Sequence, residues 1–128
     1  MPHTLSIPES RTHVRAQISE PLTVDAAWEI LCETRESSRS EGIRGFLLDT
    51  RGFGCELGPV ACYEIAYTGL ERLGFDRDWM WAILVSPGEG SYDFLETVVR
   101  NAGYRCRLFH GEPEVIAWLQ RQALEDSA

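Results

Sequence analysis

The chain has 128 residues, which fits a single domain with one sizeable core. Its formal net charge is −8, and its 12 basic side chains are all arginine. This balance argues against binding to nucleic acid or to an anionic membrane, because both need clustered cations. The absence of lysine excludes a P-loop lysine and a Schiff-base lysine. We predict one domain over residues 1–128, with a core from about residue 11 to about residue 122.

The pattern of apolar and cysteine residues indicates a compartment. The longest uncharged apolar run, 79–87, is far shorter than the roughly 20 residues that a membrane span needs. The N-terminus has no basic region followed by an apolar one, so it does not resemble a secretory signal. The four cysteines lack CxxC spacing and are expected to be free thiols. These features predict a cytoplasmic protein without membrane insertion.

The N-terminal third is predicted to form a hairpin, a helix and a buried strand. Two β-like segments, 4–7 and 11–18, flank a short turn, and the second alternates apolar with polar residues. Thr23 fits the N-cap of a helix that ends before Gly42. The short apolar segment 43–49 then predicts a central buried strand. The predicted helix buries one face, made of Ala27, Ile30, Leu31 and Thr34.

The rest of the chain alternates helices and strands. Pro59 fits the first turn of a second helix and Gly74 its end. Segments 79–86 and 104–109 predict strands, and the second of these is expected near a sheet edge. A third helix is predicted between Ser91, as its N-cap, and Gly103, and a fourth opens at Pro113. Residues at helical spacing in the second and fourth helices are Val60, Tyr63, Tyr67, Leu70 and Leu73, and Val115, Ile116, Leu119 and Ala123.

The order of elements is β-β-α-β-α-β-α-β-α, which predicts an α/β domain with a largely parallel or mixed sheet and flanking helices. Ligands and partners of such sheets usually meet the carboxyl ends of the strands. Segments 49–57 and 86–91 are therefore expected at the same edge.

The segment LLDTRGFG at 47–54 and a few residues beyond it suggest several chemistries. A phosphoacceptor Asp49 lacks the required lysine, and the glycine spacing matches neither the dinucleotide fingerprint nor a P-loop. Cys55 precedes a helix start, where a thiol can be acidified. Trp79 and Trp81 share one strand face, which could line an apolar pocket or pack under a helix. The scattered histidines and cysteines predict no metal site, and no cofactor is expected.

Two longer segments carry a family resemblance. GIRGFLLDTRG precedes a helix, and WAILVSPGEGSYDFLETVVRNAGYRCRLFHGEPEVIAWL follows it. This arrangement, over roughly residues 14 to 119, resembles the small bacterial SpoIIAA-like proteins of the STAS-like group, named for sulfate transporters and anti-sigma-factor antagonists. The stretch 94–118 carries most of the likeness. The resemblance implies a four- or five-stranded sheet with flanking helices, and a non-enzymatic role in protein regulation or small-ligand sensing.

The resemblance does not extend to a phosphorylation site. In the anti-sigma antagonists a strand ending in Asp leads to a loop, and a partner kinase phosphorylates a serine at the start of the next helix. Asp49 matches that strand end. The chain has no serine between Ser40 and Ser86, and Thr50 lies too early, so no phosphosite is carried over.

We therefore expect a non-enzymatic regulatory or protein-binding module that uses one loop. The predicted binding residues are Asp49, Thr50, Arg51, Phe53 and Cys55. The alternative is a Sec14-like domain that binds a small apolar ligand in a cavity of at least a few hundred Å³, lined by Trp and Tyr. A thiol enzyme using Cys55 is a third reading. The expected partner is a protein or a small apolar ligand, and the chain is expected to be a monomer or a homodimer.

Overall fold

A computed structural model describes residues 3–127, with side chains described from residue 3 to residue 121. Five strands form one mixed sheet whose spatial order is the same as their order in the chain. The first pair is antiparallel, which confirms the N-terminal hairpin, and the other three pairs are parallel. The strands are β1 (His3–Ser6), β2 (Val14–Ile18), β3 (Gly45–Asp49), β4 (Met80–Leu84) and β5 (Arg105–Phe109).

Four helices flank the sheet. The first, α1, spans Val24–Arg39. The second, α2, begins as Pro59–Glu64, passes through a π-helical turn at Ile65–Gly69 and ends with Leu70–Arg72. The last two are α3 (Asp93–Asn101) and α4 (Glu112–Ser127). Within the described part of the chain, none of the helices combines the length and the apolar character that crossing a bilayer requires. The α/β class is therefore confirmed, whereas the STAS-like assignment stays a prediction.

The two faces of the sheet are covered differently. Helices α1, α2 and α3 pack on one face, where Phe46, Leu48 and Trp81 belong to the larger apolar core. Helix α4 covers the other face and places Val115 and Leu119 against a smaller core. That smaller core also contains Leu47, Met80, Ala82, Leu84 and Phe109. Strands β3 and β4 are buried on both faces, as their continuous apolar runs predict.

The first three helices begin or end at residues that the sequence predicts for those positions. The Thr23 hydroxyl accepts a hydrogen bond from the Ala26 amide at 3.2 Å and caps α1. Pro59 occupies the first turn of α2, where a missing N–H costs nothing. Gly74 and Gly103 follow α2 and α3 with φ of +93° and +101°, a conformation that glycine adopts without strain.

The outer face of α2 carries large apolar side chains. Val60, Tyr63 and Tyr67 do share a face, but that face is turned to solvent. The buried side of the helix consists of Cys62, Ile65, Ala66, Gly69 and Leu70. Gly69 explains this choice, because an added Cβ would lie 2.3 Å from the ring of Trp28 on α1. The Trp28 side chain therefore packs directly on the backbone of α2 at Gly69.

Most of the other aromatic residues and helix faces named in the sequence analysis are buried. Trp79 and Trp81 stack with ring centroids 5.5 Å apart and belong to the larger core. The predicted face of α1 is buried. In α4, Val115 and Leu119 are buried, and Ile116 is half-buried. Ala123 lies beyond the residues whose side chains the structure describes.

Gly45 offers a test of how tightly β3 is held against its neighbours. A Cβ at this position would lie 2.6 Å from the backbone oxygen of Thr12 and 3.4 Å from Leu119. We expect Gly45→Ala to lower the free energy of unfolding by about 2 kcal/mol in urea denaturation, since backbone must move. Gly90→Ala is the control, because its Cβ would meet no atom nearer than 3.8 Å. An equal effect of both substitutions would contradict this account.

Candidate functional site

The carboxyl end of β3 is held by two arginines. Asp49 is only 2 % exposed, and its Oδ2 accepts hydrogen bonds from Arg15 Nη2 at 2.6 Å and from Arg51 Nη2 at 2.8 Å. Its Oδ1 accepts a further bond from Arg51 Nε at 3.0 Å. Arg15 reaches Asp49 from the adjacent strand β2. The carboxylate predicted to serve binding is therefore a buried, neutralised group.

Glu112, at the start of α4, joins the same ionic network. Its carboxylate accepts hydrogen bonds from Arg15 Nε at 3.1 Å and from Arg51 Nη2 at 3.3 Å. The network thus ties β2, β3, the following loop and α4 together. Burial by itself raises the pKa of Asp49, but the hydrogen bonds and charge of Arg51, with the charge of Arg15, outweigh it and hold that pKa below its ordinary value.

Thr50 is the second predicted binding residue, and it is also buried. Its hydroxyl donates a hydrogen bond to the Leu84 carbonyl at 2.8 Å, and its amide donates to the same oxygen at 2.9 Å. Thr50 therefore joins the ends of β3 and β4 rather than presenting a group to solvent.

The rest of the loop is fastened to the neighbouring loop after β4. The Gly52 amide donates to Ser86 Oγ at 2.9 Å, and the Cys55 amide donates to Ser91 Oγ at 2.9 Å. These contacts confirm that segments 49–57 and 86–91 meet at one edge. They also correct the role of Ser91, because the N-cap of α3 is Tyr92 and no side chain caps it. The Ser91 hydroxyl is engaged by the opposite loop instead.

Arg51, Phe53 and Cys55 keep different degrees of exposure. Phe53 is half-buried, packs against the larger core and accepts a hydrogen bond at its carbonyl from the Tyr92 hydroxyl at 3.2 Å. Arg51 is exposed along part of its side chain, although its guanidinium is paired. Burial raises the pKa of the Cys55 thiol, and nearby glutamates add to that effect. An acidified nucleophile needs the opposite shift, so this direction does not favour the thiol-enzyme hypothesis, which stays a prediction.

An exposed aromatic patch lies beside this loop. The patch consists of Val60, Tyr63 and Tyr67 on α2 and Phe94 on α3, which are 71 %, 50 %, 48 % and 42 % exposed. The Tyr63 ring stacks on Tyr67 at 5.9 Å between centroids and meets the Phe94 ring edge-on at 5.8 Å. Val60, Tyr63 and Tyr67 are at helical spacing in the sequence, which does not by itself indicate the patch. Their spacing indicated a shared face, but not that the face is exposed.

The interior of the larger core contains one small apolar cavity of about 70 Å³. It lies between the sheet and the three helices, and Trp81, Ile65 and Leu95 are among its lining residues. Its volume is well below the few hundred Å³ expected for the Sec14-like alternative. Larger depressions open at the surface, one of about 680 Å³ along β5 and one of about 470 Å³ beside Trp28. The small-ligand alternative stays a prediction.

Of the remaining cysteines, Cys32 is exposed. Cys62 and Cys106 are buried, as predicted, and burial raises their pKa to about 11 and about 12. Within residues 3–121, whose side chains are described, no group of three or more histidine, cysteine, aspartate or glutamate side chains is placed to hold a metal ion.

Comparison with protein-family models finds no model that matches the chain, and a search of curated proteins finds no similar sequence.

The ionic network should matter mainly for stability. Arg15→Met removes the hydrogen bonds to Asp49 and Glu112 from a side chain that is only 19 % exposed. We expect it to lower the free energy of unfolding by about 2 kcal/mol, measured by urea denaturation. Arg44→Met is the control, because Arg44 is 58 % exposed and pairs with Asp78 at 3.3 Å. Its loss should cost less than about 1 kcal/mol, and equal costs would contradict a structural role for Arg15.

His13 should make stability depend on pH. The ring is fully buried, its Nδ1 lies 2.8 Å from Thr12 Oγ1, and its Nε2 has no partner among the described residues. Burial lowers its pKa below the ordinary 6.5, and the charge of Arg15 lowers it further, although Glu112 opposes the shift. As the pH falls below 6.5, the unfolded chain therefore binds a proton before the folded chain does.

We expect the free energy of unfolding to decline as the pH falls below about 6.5. The loss from Asp49 comes at lower pH, because that carboxylate has a lowered pKa. His13→Gln should remove the part of the decline that begins near 6.5, as measured by urea denaturation across pH. His110→Gln, which changes an exposed ring, serves as the control. A decline that persists unchanged in His13→Gln would contradict this assignment.

Proposed function

We propose that the protein is a non-enzymatic regulatory module that docks a basic segment of another protein on the aromatic patch. The observation that carries the proposal is the exposure of four large apolar side chains, Val60, Tyr63, Tyr67 and Phe94, as one group. A contiguous exposed apolar surface in a folded domain is typical of an interaction site. Tyrosine and phenylalanine are also enriched at the centres of protein interfaces.

The charges around the patch favour a basic partner. Glu56, Glu64 and Asp93 are exposed and lie within four residues of patch members in the sequence. The chain has no basic residue between Arg51 and Arg72, so α2 offers no cation before its last turn. A partner with arginine or lysine around an apolar anchor would complement this surface.

The position of the patch supports a link with the STAS-like resemblance. The sequence predicts binding at the loop after β3. That loop leads directly into α2, which carries three of the four patch residues. The residues available to a partner differ from those predicted, because Asp49 and Thr50 are buried whereas Tyr63 and Phe94 are exposed. The five-stranded mixed sheet and N-terminal hairpin are compatible with that family.

The state of the loop residues supports binding rather than catalysis. The Asp49 carboxylate is neutralised by two guanidinium groups, and the Cys55 thiol has a raised pKa. Neither group is prepared as a base or a nucleophile. We place the module in the cytoplasm on the basis of its four free cysteines.

The patch can be tested by removing its two best-placed rings. The double variant Tyr63→Ser/Phe94→Ser should fold normally, since both side chains are exposed. We expect it to lose a partner that the wild-type protein captures from host extract, with recovery reduced at least about tenfold. Quantitative mass spectrometry of the captured proteins measures the loss.

Val24→Ser is the matched control, because Val24 is 40 % exposed but lies outside the patch. Partner recovery with this variant should equal that of the wild type. The captured partner should also be released by salt, because acidic residues surround the patch. Equal recovery by the double variant and Val24→Ser would contradict docking at the patch.

A further inference from the structure

A groove runs along the free edge of β5, on a different part of the molecule from the aromatic patch. It has a volume of about 680 Å³. Its floor is β5, the last strand in the sheet order. One wall is α3, which contributes Glu96 and Arg100, and the other is α4, which contributes Trp118. A strand edge at the bottom, with a helix on each side, suits an extended chain.

The backbone of β5 presents hydrogen-bonding groups on this outer side. The Phe109 carbonyl accepts from the Val85 amide at 2.8 Å and so points toward the β4 side of the strand. Because backbone groups alternate along a strand, those of Leu108 and Cys106 point outward. The Leu108 amide does so, since it donates to Glu96 Oε2 at 2.8 Å.

Arginines surround this edge, although the whole chain is acidic. Arg100, Arg105 and Arg107 line the groove. Arg77 stands beside it, with its guanidinium 4.3 Å from the ring centroid of Tyr104, another lining residue. The lining residues thus carry three arginines and one acid, Glu96, and Asp78 lies 3.9 Å from Arg105 Nη2. A net positive groove on a chain of charge −8 selects for an acidic occupant.

Glu96 gives the edge its selectivity. Its carboxylate caps the Leu108 amide, which blocks indiscriminate pairing with other strand edges. A partner that carries its own carboxylates and a backbone carbonyl can replace Glu96 at this amide. A neutral or basic strand has no comparable attraction to the arginines.

We propose that the β5 groove binds an extended acidic segment of a partner protein, which adds to the sheet as a sixth strand. Backbone hydrogen bonds to the outer groups of Cys106 and Leu108 supply the alignment. Carboxylates of the segment pair with Arg100, Arg105 and Arg107, while Trp118 offers an apolar contact on the α4 wall. This site does not depend on the aromatic patch.

The test uses a labelled peptide that alternates glutamate and valine over seven residues, with fluorescence anisotropy as the readout. Three matched peptides separate the contributions: one with lysine in place of glutamate, one N-methylated at two adjacent central residues, and the unmodified sequence. N-methylation removes donors from both edges of the peptide while it keeps every charge. We expect the unmodified peptide to bind, the lysine peptide not to bind, and N-methylation to weaken binding at least about tenfold.

Variants of the protein test the groove itself. Arg100→Ser/Arg107→Ser should weaken binding at least about tenfold, whereas Arg72→Ser, which removes an exposed arginine from α2, should leave it unchanged. Glu96→Gln should strengthen binding, because it removes a negative charge but keeps an oxygen for the Leu108 amide. Amide resonances of Cys106 and Leu108 should shift on binding. The variant Tyr63→Ser/Phe94→Ser should bind the peptide normally, which separates this proposal from docking at the patch.

Three outcomes would overturn the proposal. Equal binding of the N-methylated peptide would mean that charge alone attracts the peptide. Equal weakening by Arg72→Ser would mean that the attraction is not located in the groove. Displacement of the peptide by inorganic phosphate at matched ionic strength, with no shift of the Leu108 amide, would indicate a site for free anions instead.

Discussion

Asp49 held between Arg15 and Arg51 is the interaction on which the carboxyl edge of the sheet depends. The carboxylate is buried, and it remains charged because two guanidinium groups replace the water that burial removes. Glu112 closes the network from α4, so the helix that covers the second face is joined to the strands by charge as well as by apolar packing. A loop that looks reactive in the sequence is thereby a rigid part of the scaffold.

The loop after β3 and the helix α2 that follows it differ in what they offer to a partner. The polar groups of the loop after β3 form hydrogen bonds with Ser86, Ser91 and Leu84, so few of them remain for a partner. The neighbouring helix α2 has the opposite character, because its outer face carries aromatic rings without an internal role. A fixed loop beside an exposed aromatic surface is a sound arrangement for docking, since little conformational freedom is lost on binding.

The sequence allowed most of the fold to be predicted, because the signals are local. Thr23, Pro59 and Gly103 act within their own helix ends, and the apolar runs of β3 and β4 are typical of strands buried on both faces. The orientation of α2 could not be predicted in the same way. The helix has two apolar stripes, and the choice between them depends on the close approach of Trp28 to Gly69. That contact involves a residue from another helix.

The site shows the same limit. Arg15 and Asp49 are 34 residues apart and meet only because β2 and β3 pair in one register, in which Gln17 lies opposite Asp49. Glu112 is 97 residues from Arg15. The alternation of apolar and polar residues along β2 predicted that Arg15 lies on the face opposite Val14 and Ala16. It did not predict that Arg15 pairs with Asp49. The exposure of Tyr63 and Phe94 likewise depends on how α2 and α3 pack on the sheet. The spacing of these residues in the sequence does not predict that packing.

The strand order has a consequence for how the molecule is made. Because the spatial order of the strands equals their order in the chain, the sheet can grow by one strand at a time as the polypeptide leaves the ribosome. Each new strand pairs with the one synthesised just before it, and α1, α2 and α3 can close the first face as they emerge. The second face must wait for α4, so Leu47, Ala82 and Leu84 remain open to water or chaperones until that helix is complete. The second face of the sheet is therefore the last part of the domain core to be covered.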